Sequence, residues 1–154
     1  MKIFLDSYGC ALNQADAAII RGILEKGGHT FSKLDEADVV ILNSCSVKNA
    51  TENRMCSRIE HFLEQGKKVI VTGCLPAVNP ARLRRYNVVC VSTDSLADLP
   101  RAVKSALSTS FSGDKHSNKL LLPHSFAKEA EAVPVEICEG CAGRCAYCGT
   151  KNAR

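Results

Sequence analysis

Apolar and polar positions alternate along this chain in blocks, and the blocks predict elements in a regular order. Lys2–Asp6 is a short apolar strand that runs into Ser7-Tyr-Gly-Cys10. A helix is expected from about Asn13, whose side chain suits a cap, with Ile19, Ile20, Ile23 and Leu24 on one face. Gly27-Gly28 stops it. His29–Ser32 is a candidate short strand. Asp38–Asn43 holds four consecutive apolar residues, the pattern of a strand covered on both faces in a parallel sheet. A helix over Asn49–Gln65 places Met55, Ile59, Phe62 and Leu63 at helical spacing, and Gly66 ends it. Lys68–Thr72 is the next buried strand. Asn79-Pro80 reads as a cap and first-turn proline for a short helix to about Tyr86. Asn87–Ser92 is a further strand, and Leu99, Val103, Ala106 and Leu107 stripe one more helix.

Strands and helices alternating at this spacing predict an α/β fold: a parallel, flavodoxin-like five-stranded sheet with helices on both faces and right-handed crossovers. That domain is expected to span 1–107. Residues 108–132 open on a polar, turn-rich run and read as a linker. Val133–Ile137 looks like a fresh strand that leads into a second unit, 133–154.

Composition adds one anomaly. Hydrophobic residues make up 45 % of the 154 positions and charged residues 23 %, ordinary for a globular chain. Nine cysteines are not ordinary. Asp6 interrupts Met1-Lys-Ile-Phe-Leu before the apolar core of a signal peptide can form, and no run reaches membrane-spanning length. A reducing, cytoplasmic setting is therefore expected, where cysteines serve as ligands rather than disulfides. The net charge of +4 permits an RNA partner without requiring one.

The cysteines fall into groups. Cys138, Cys141, Cys145 and Cys148 lie within eleven residues. Thiolates at such density select zinc, copper(I) or iron–sulfur clusters. A zinc ribbon separates its two pairs by about fifteen to twenty residues, whereas here only three intervene. A bacterial ferredoxin run has its longest gap last and a proline after the fourth cysteine, whereas Gly149 follows Cys148. A redox-inert loop or zinc knuckle is the blander alternative. Cys10, Cys45 and Cys74 form a dispersed group, each just past the end of a predicted parallel strand and 35 and 29 residues apart. Sites in open parallel sheets form at the carboxyl ends of strands, so these three are expected to converge. The alternative is three unrelated small residues at strand ends. Cys56, inside a helix, and Cys90, inside a strand, read as buried inert thiols.

The triplet Cys141-x3-Cys145-x2-Cys148, with Tyr147 before its last member, resembles the signature of radical S-adenosylmethionine enzymes. The resemblance implies that three thiolates hold three irons of a 4Fe–4S cluster. The fourth iron takes the amino and carboxylate groups of S-adenosylmethionine, and one electron releases a 5′-deoxyadenosyl radical. Cys138 then reads as a spare thiol, since a fourth protein ligand would close the open iron.

Four segments together carry a closer resemblance: Ser7-Tyr-Gly-Cys-Ala-Leu-Asn-Gln-Ala-Asp16, Asn43-Ser-Cys-Ser-Val-Lys48, Thr72-Gly-Cys-Leu-Pro76 and Gly140-Cys-Ala-Gly-Arg-Cys-Ala-Tyr-Cys-Gly-Thr-Lys-Asn-Ala-Arg154. They are similar, in order, to the methylthiotransferase family of radical S-adenosylmethionine enzymes. The resemblance implies a second 4Fe–4S cluster on Cys10, Cys45 and Cys74 that presents sulfur. A second S-adenosylmethionine would supply methyl, tRNA would be the substrate and a protein the electron donor. The opening segment and Gly73-Cys-Leu-Pro76 look most similar to the archaeal and eukaryotic branch acting on threonylcarbamoyladenosine beside the anticodon. Other branches act on isopentenyladenosine in tRNA or on a ribosomal protein. A barrel of this class takes about 250 residues, and the chain stops six residues after Cys148. The chain is thus expected to be the N-terminal part of a longer enzyme with the truncated start of a barrel, inactive by itself. The alternative from another class is a stand-alone iron–sulfur module without catalytic activity.

Asn13, Asp16, Asn43 and Lys48 flank the dispersed trio and are candidates to orient a cluster or the adenosine. Arg82, Arg84 and Arg85, with Arg101 and Lys104, read as solvated helix faces rather than an RNA surface, having no aromatic residues between them to stack bases. His61, His116 and His124 have no cysteine partners at ligand spacing and read as surface residues.

Overall fold

The computed structural model describes residues 1–46, 49–106, 118–126, 133–149 and 151. Five strands, β1 (Lys2–Ser7), β2 (Thr30–Phe31), β3 (Val39–Ser44), β4 (Lys68–Gly73) and β5 (Val89–Cys90), form one sheet in the order β2-β1-β3-β4-β5. Every pairing is parallel. The central register runs Ile3 opposite Val39 to Ser7 opposite Asn43, and Val39 opposite Lys68 to Ser44 opposite Gly73. The five strand segments expected from the apolar runs are all present, and the order is the flavodoxin-like one.

The helices are α1 (Ala11–Lys26), α2 (Asn49–Glu64), α3 (Leu75–Val78), α4 (Pro80–Leu83) and α5 (Leu99–Ser105). Side chains alternate across a strand, so β3 and β4 feed two cores. Val39, Ile41 and Ile70 join Ile3, Ile19, Ile20, Leu24, Leu99 and Val103 beneath α1 and α5. Val40, Leu42, Val69 and Val71 join Met55, Ile59, Phe62, Leu75 and Leu83 beneath α2 to α4. All six residues of β3 are buried, which accounts for its continuous apolar run.

Four expectations are corrected. Asn13 does not cap α1: Cys10 holds the N-cap position with extended backbone, and Asn13 is buried within the first turn. The helix expected from Asn79-Pro80 to about Tyr86 begins there, as α4 with Asn79 at its N-cap position, but it is a single turn that ends at Leu83, and the Asn79 side chain does not cap it; a separate turn, α3, precedes it. Val133–Ile137 forms no strand, because no described strand lies beside it to complete a ladder; Val135 and Ile137 are exposed instead. Cys90 is in a strand as expected but is exposed, since β5 is a two-residue strand at the sheet margin. Cys56 is buried in α2 as expected.

Part of the expected linker is packed on the body. A 3-10 turn, Lys119–Leu121, leads to a strap in which Ser125 N–H donates to the Ala18 carbonyl at 2.9 Å. At Gly22 a β-carbon would stand 2.2 Å from the Pro123 carbonyl oxygen, so α1 is smooth where the strap crosses it. Residues 108–117 and 127–132 of that segment, with His116, lie outside the described residues.

His29 follows the end of α1 and is buried, and neither ring nitrogen has a hydrogen-bond partner among the described residues. Burial pushes its pKa below the ordinary histidine value, helped by the N-terminal ammonium and Lys104. The unfolded chain therefore takes up this proton first as the pH drops. Stability from this group is expected to be complete above about pH 6.5 and to be lost as pH falls through the lower folded value. Acid should lower the urea-unfolding midpoint of the chain more than that of His29→Leu, so the difference between the two should change as the pH falls below about 6.5. Equal pH dependence in both would exclude the assignment.

Candidate metal centre

The strand order reverses between β1 and β3, which opens a crevice at their carboxyl ends. Cys10 follows β1 there, Cys45 follows β3, and Cys74 follows β4 one strand further on. Two glycines bring these loops together. A β-carbon on Gly9 would stand 3.1 Å from Cys45 Cβ and 2.6 Å from Asn13 Oδ1. One on Gly73 would stand 2.2 Å from the Ser44 carbonyl oxygen. Both glycines also have positive φ, at 124° and 86°, which other residues adopt at a cost. The Cys74 N–H donates to that same Ser44 carbonyl at 2.8 Å, continuing the sheet past the last paired residues.

Cys45 and Cys74 are buried and Cys10 is exposed. Cys10 caps a 16-residue helix, where outward backbone N–H groups favour negative charge. Its thiol reaches Asn13 Oδ1 at 3.5 Å.

Beneath the crevice lies a buried amide pair. Asn13 Nδ2 donates to Asn43 Oδ1 at 3.3 Å and to the Ser44 carbonyl at 3.2 Å. Asn43 Nδ2 donates to the Asn13 carbonyl at 2.7 Å and to Ser7 Oγ at 3.0 Å. The two asparagines bind β1, α1 and β3 into one frame. Asp16 is fully buried and pairs with Lys119, whose Nζ lies 3.0 Å from Asp16 Oδ1. Lys48 lies outside the described residues.

Sequence reasoning missed a second network. Glu52, buried in the first turn of α2, accepts from Ser46 Oγ. Its other oxygen accepts from Asn79 Nδ2 and Arg82 Nη1, both at 3.1 Å. One carboxylate thus joins the residue after Cys45 to the segment after Cys74. The signal was faint: a glutamate in a helix first turn is common, and its partners are 27 and 30 residues away. Arg85 pairs with Glu60 at 3.4 Å and Arg101 with Asp98 at 3.1 Å. Tyr86 donates to Glu60 at 2.6 Å, and its hydroxyl is pushed up to about 12, first by burial and then by that carboxylate. Arg85 and Arg101 are thus engaged at the surface, whereas Arg82, expected on the same solvated face, ties to buried Glu52 instead. His61 and His124 are exposed.

Cys141, Cys145 and Cys148 occupy one loop. The Gly143 N–H donates to Cys141 Sγ at 3.3 Å, and the Cys148 N–H to the Cys145 carbonyl at 3.2 Å. Hydrogen bonds to sulfur are a lever on cluster potential. At Gly149 a β-carbon would stand 3.7 Å from Val78 Cγ1, so the end of this loop lies near α3, the turn after Cys74. Cys138 is exposed beside Lys119 and Glu139 on a 210 Å³ cavity. Among the described residues no three His, Cys, Asp or Glu side chains surround a single-ion position. A cubane makes no such demand, because each thiolate takes a different iron. Soft donors in threes, glycine-lined approaches and an N–H directed at sulfur fit such a group.

Comparison with known proteins agrees with this architecture. Residues 2–92 match the model of Uncharacterized protein family UPF0004. The chain belongs to that family. Along its whole length this UPF0004 member is also similar to proteins named threonylcarbamoyladenosine tRNA methylthiotransferase, as the four cysteine segments suggested. The one from Pyrococcus abyssi, named as probable, is 37 % identical over 161 residues, covering 100 % of this chain and 38 % of the relative. That from Methanocaldococcus jannaschii, also probable, is 34 % identical over 157 residues, covering 100 % and 37 %. That from Mus musculus is 30 % identical over 164 residues, covering 99 % and 28 %. The chain therefore spans between 28 % and 38 % of the length of these relatives. No described helix is long and apolar enough to cross a membrane.

Proposed function

We propose that this chain forms the N-terminal part of a tRNA methylthiotransferase that replaces the C2 hydrogen of N6-threonylcarbamoyladenosine, beside the anticodon, with a methylthio group. The observation that carries the reading is the meeting of three strand-end cysteine loops at the carboxyl edge of a UPF0004 sheet, with a second cysteine trio in a loop whose end lies near α3. Cys10, Cys45 and Cys74 would hold one 4Fe–4S cluster, and Cys141, Cys145 and Cys148 the other. When bound, the two clusters and S-adenosylmethionine supply one-electron chemistry, sulfur and methyl.

The chain's own residues do the positioning. Buried Cys45 and Cys74 shield the inner side of the first site, while exposed Cys10 leaves its outer side approachable. The Asn13–Asn43 pair and the Glu52 network hold the three loops at fixed spacing. Arg54 lies over the Tyr8 ring, 5.4 Å from its centroid, two residues before Cys10. A cation there suits an RNA phosphate. The setting is cytoplasmic, and the remaining partner is a protein electron donor.

A chimera tests the reading. This chain replaces the aligned N-terminal segment of the Pyrococcus abyssi relative, and the protein is reconstituted anaerobically with iron and sulfide. Reductant, S-adenosylmethionine and tRNA bearing threonylcarbamoyladenosine are added, and digested nucleosides are weighed. The expected result is the methylthio nucleoside, lost in Cys45→Ala with tRNA binding unchanged. Product from isopentenyladenosine tRNA or a ribosomal protein instead would reassign the substrate. Absence of product with both trios loaded would favour a stand-alone iron–sulfur module.

A further inference from the structure

Lys119 makes an uncommon arrangement. Its side chain is 5 % exposed, and its ammonium sits 3.0 Å from Asp16 Oδ1 and 2.5 Å from Glu139 Oε1. Asp16 is fully buried in α1, the helix capped by Cys10. Glu139 lies between Cys138 and Cys141, at the entrance to the second cysteine loop. One ammonium thus bridges the element that begins at the first trio and the loop that carries the other.

Buried ion pairs are poor stabilisers, because desolvation cancels much of the attraction; their best-attested use is to fix register. The strap that carries Lys119 has attachments of its own, through Ser125 to Ala18 and through Pro123 over Gly22. The arm to Glu139 holds the cysteine loop instead. At the other end of that loop Gly149 lies near α3, where an added β-carbon would stand 3.7 Å from Val78 Cγ1. The Lys119–Glu139 pair is a charged tie just ahead of Cys141, Cys145 and Cys148.

We infer that Lys119 is a positioning residue: with Asp16 and Glu139 it sets the separation between the two cysteine trios. The inference rests on the two-cluster reading proposed above. A reaction that uses two centres on one base requires that separation to be held closely, since a misplacement of about 1 Å can cost ~10²-fold in rate. Two carboxylates on different elements suit the task, because the one buried ammonium meets both only while α1 and the cysteine loop keep their spacing.

The test uses the full chain, reconstituted anaerobically and reduced so that both clusters are paramagnetic. Pulsed electron paramagnetic resonance then reads the distance between them. The unaltered chain should show a resolved dipolar splitting. Glu139→Ala leaves the Asp16–Lys119 pair intact and should keep its full iron but lose the splitting. Lys119→Met should lose it as well, and Lys119→Arg should regain it. Should Lys119→Met fail to fold, Glu139→Ala alone decides. Full iron with an unchanged splitting in Glu139→Ala would overturn the inference and leave the two-cluster reading standing. Half the iron in the unaltered chain would overturn that reading and the inference with it.

Discussion

Replacing Cys10, Cys45 and Cys74 together by alanine is expected to halve the iron of the anaerobically reconstituted chain, from about eight atoms to about four. The remaining cluster should keep its spectrum. Its ligands lie in a separate loop with its own backbone turn, where the Cys148 N–H meets the Cys145 carbonyl. The complementary triple substitution at Cys141, Cys145 and Cys148 should leave the other four atoms. Cys56→Ala should change neither, since that thiol is buried in the middle of α2 beneath the sheet, away from the strand ends. Cys90→Ala should change neither, since β5 lies two strands beyond β3. Iron and sulfide assays with electron paramagnetic resonance give the answer. Full iron in the first triple variant, or zinc in place of iron after anaerobic expression, would refute the two-cluster reading.

The reasons that expectation could be framed from sequence are specific. A strand covered on both faces carries an unbroken apolar run, as Val39–Leu42 and Val69–Val71 do, so β3 and β4 announce themselves without periodicity, and the cysteines a few residues later inherit a location at the strand ends. The helices declare their buried faces through Ile19, Ile20, Ile23 and Leu24, and through Met55, Ile59 and Phe62. The misreadings arose where one residue type has two uses. Asn13 looks like a cap, because its side chain suits that role, yet its amide is spent on Asn43 and Ser44. Val133–Ile137 has strand composition, but a strand exists only where a neighbour pairs with it.

The polar frame was the least legible part. Glu52 and Lys119 act through partners tens of residues away, and Lys119 and Asp16 are 103 residues apart. No local pattern encodes such pairings. Lys119 in particular lies within the segment 108–132 that reads as a linker, and only its burial against α1 shows that this part of the segment packs on the body. Asp16 was noticed through its motif, but its target was not.

Gly73→Ala is expected to combine a stability loss with a loss of the first site. Left-handed backbone at φ 86° costs an alanine about 1–2 kcal/mol. The added carbon also meets the Ser44 carbonyl oxygen at 2.2 Å, which is backbone and cannot rotate away. The β3 and β4 ends must part, weakening the Cys74 N–H bond to Ser44 at 2.8 Å and the Asn13 bond to it at 3.2 Å. At about 1 kcal/mol each, those bonds bring the total to roughly 3–4 kcal/mol. Cys45 and Cys74 flank the clash, so the iron of the first site should fall with it. Gly66→Ala is the matched control. Its φ of 70° carries the same conformational cost, but nothing lies within 4 Å of the added carbon. It should lose only about 1–2 kcal/mol and no iron. Denaturant unfolding and iron counts on both variants separate the contributions. Equal losses in stability, with iron retained in Gly73→Ala, would show that the contact between the two loops does not hold the site.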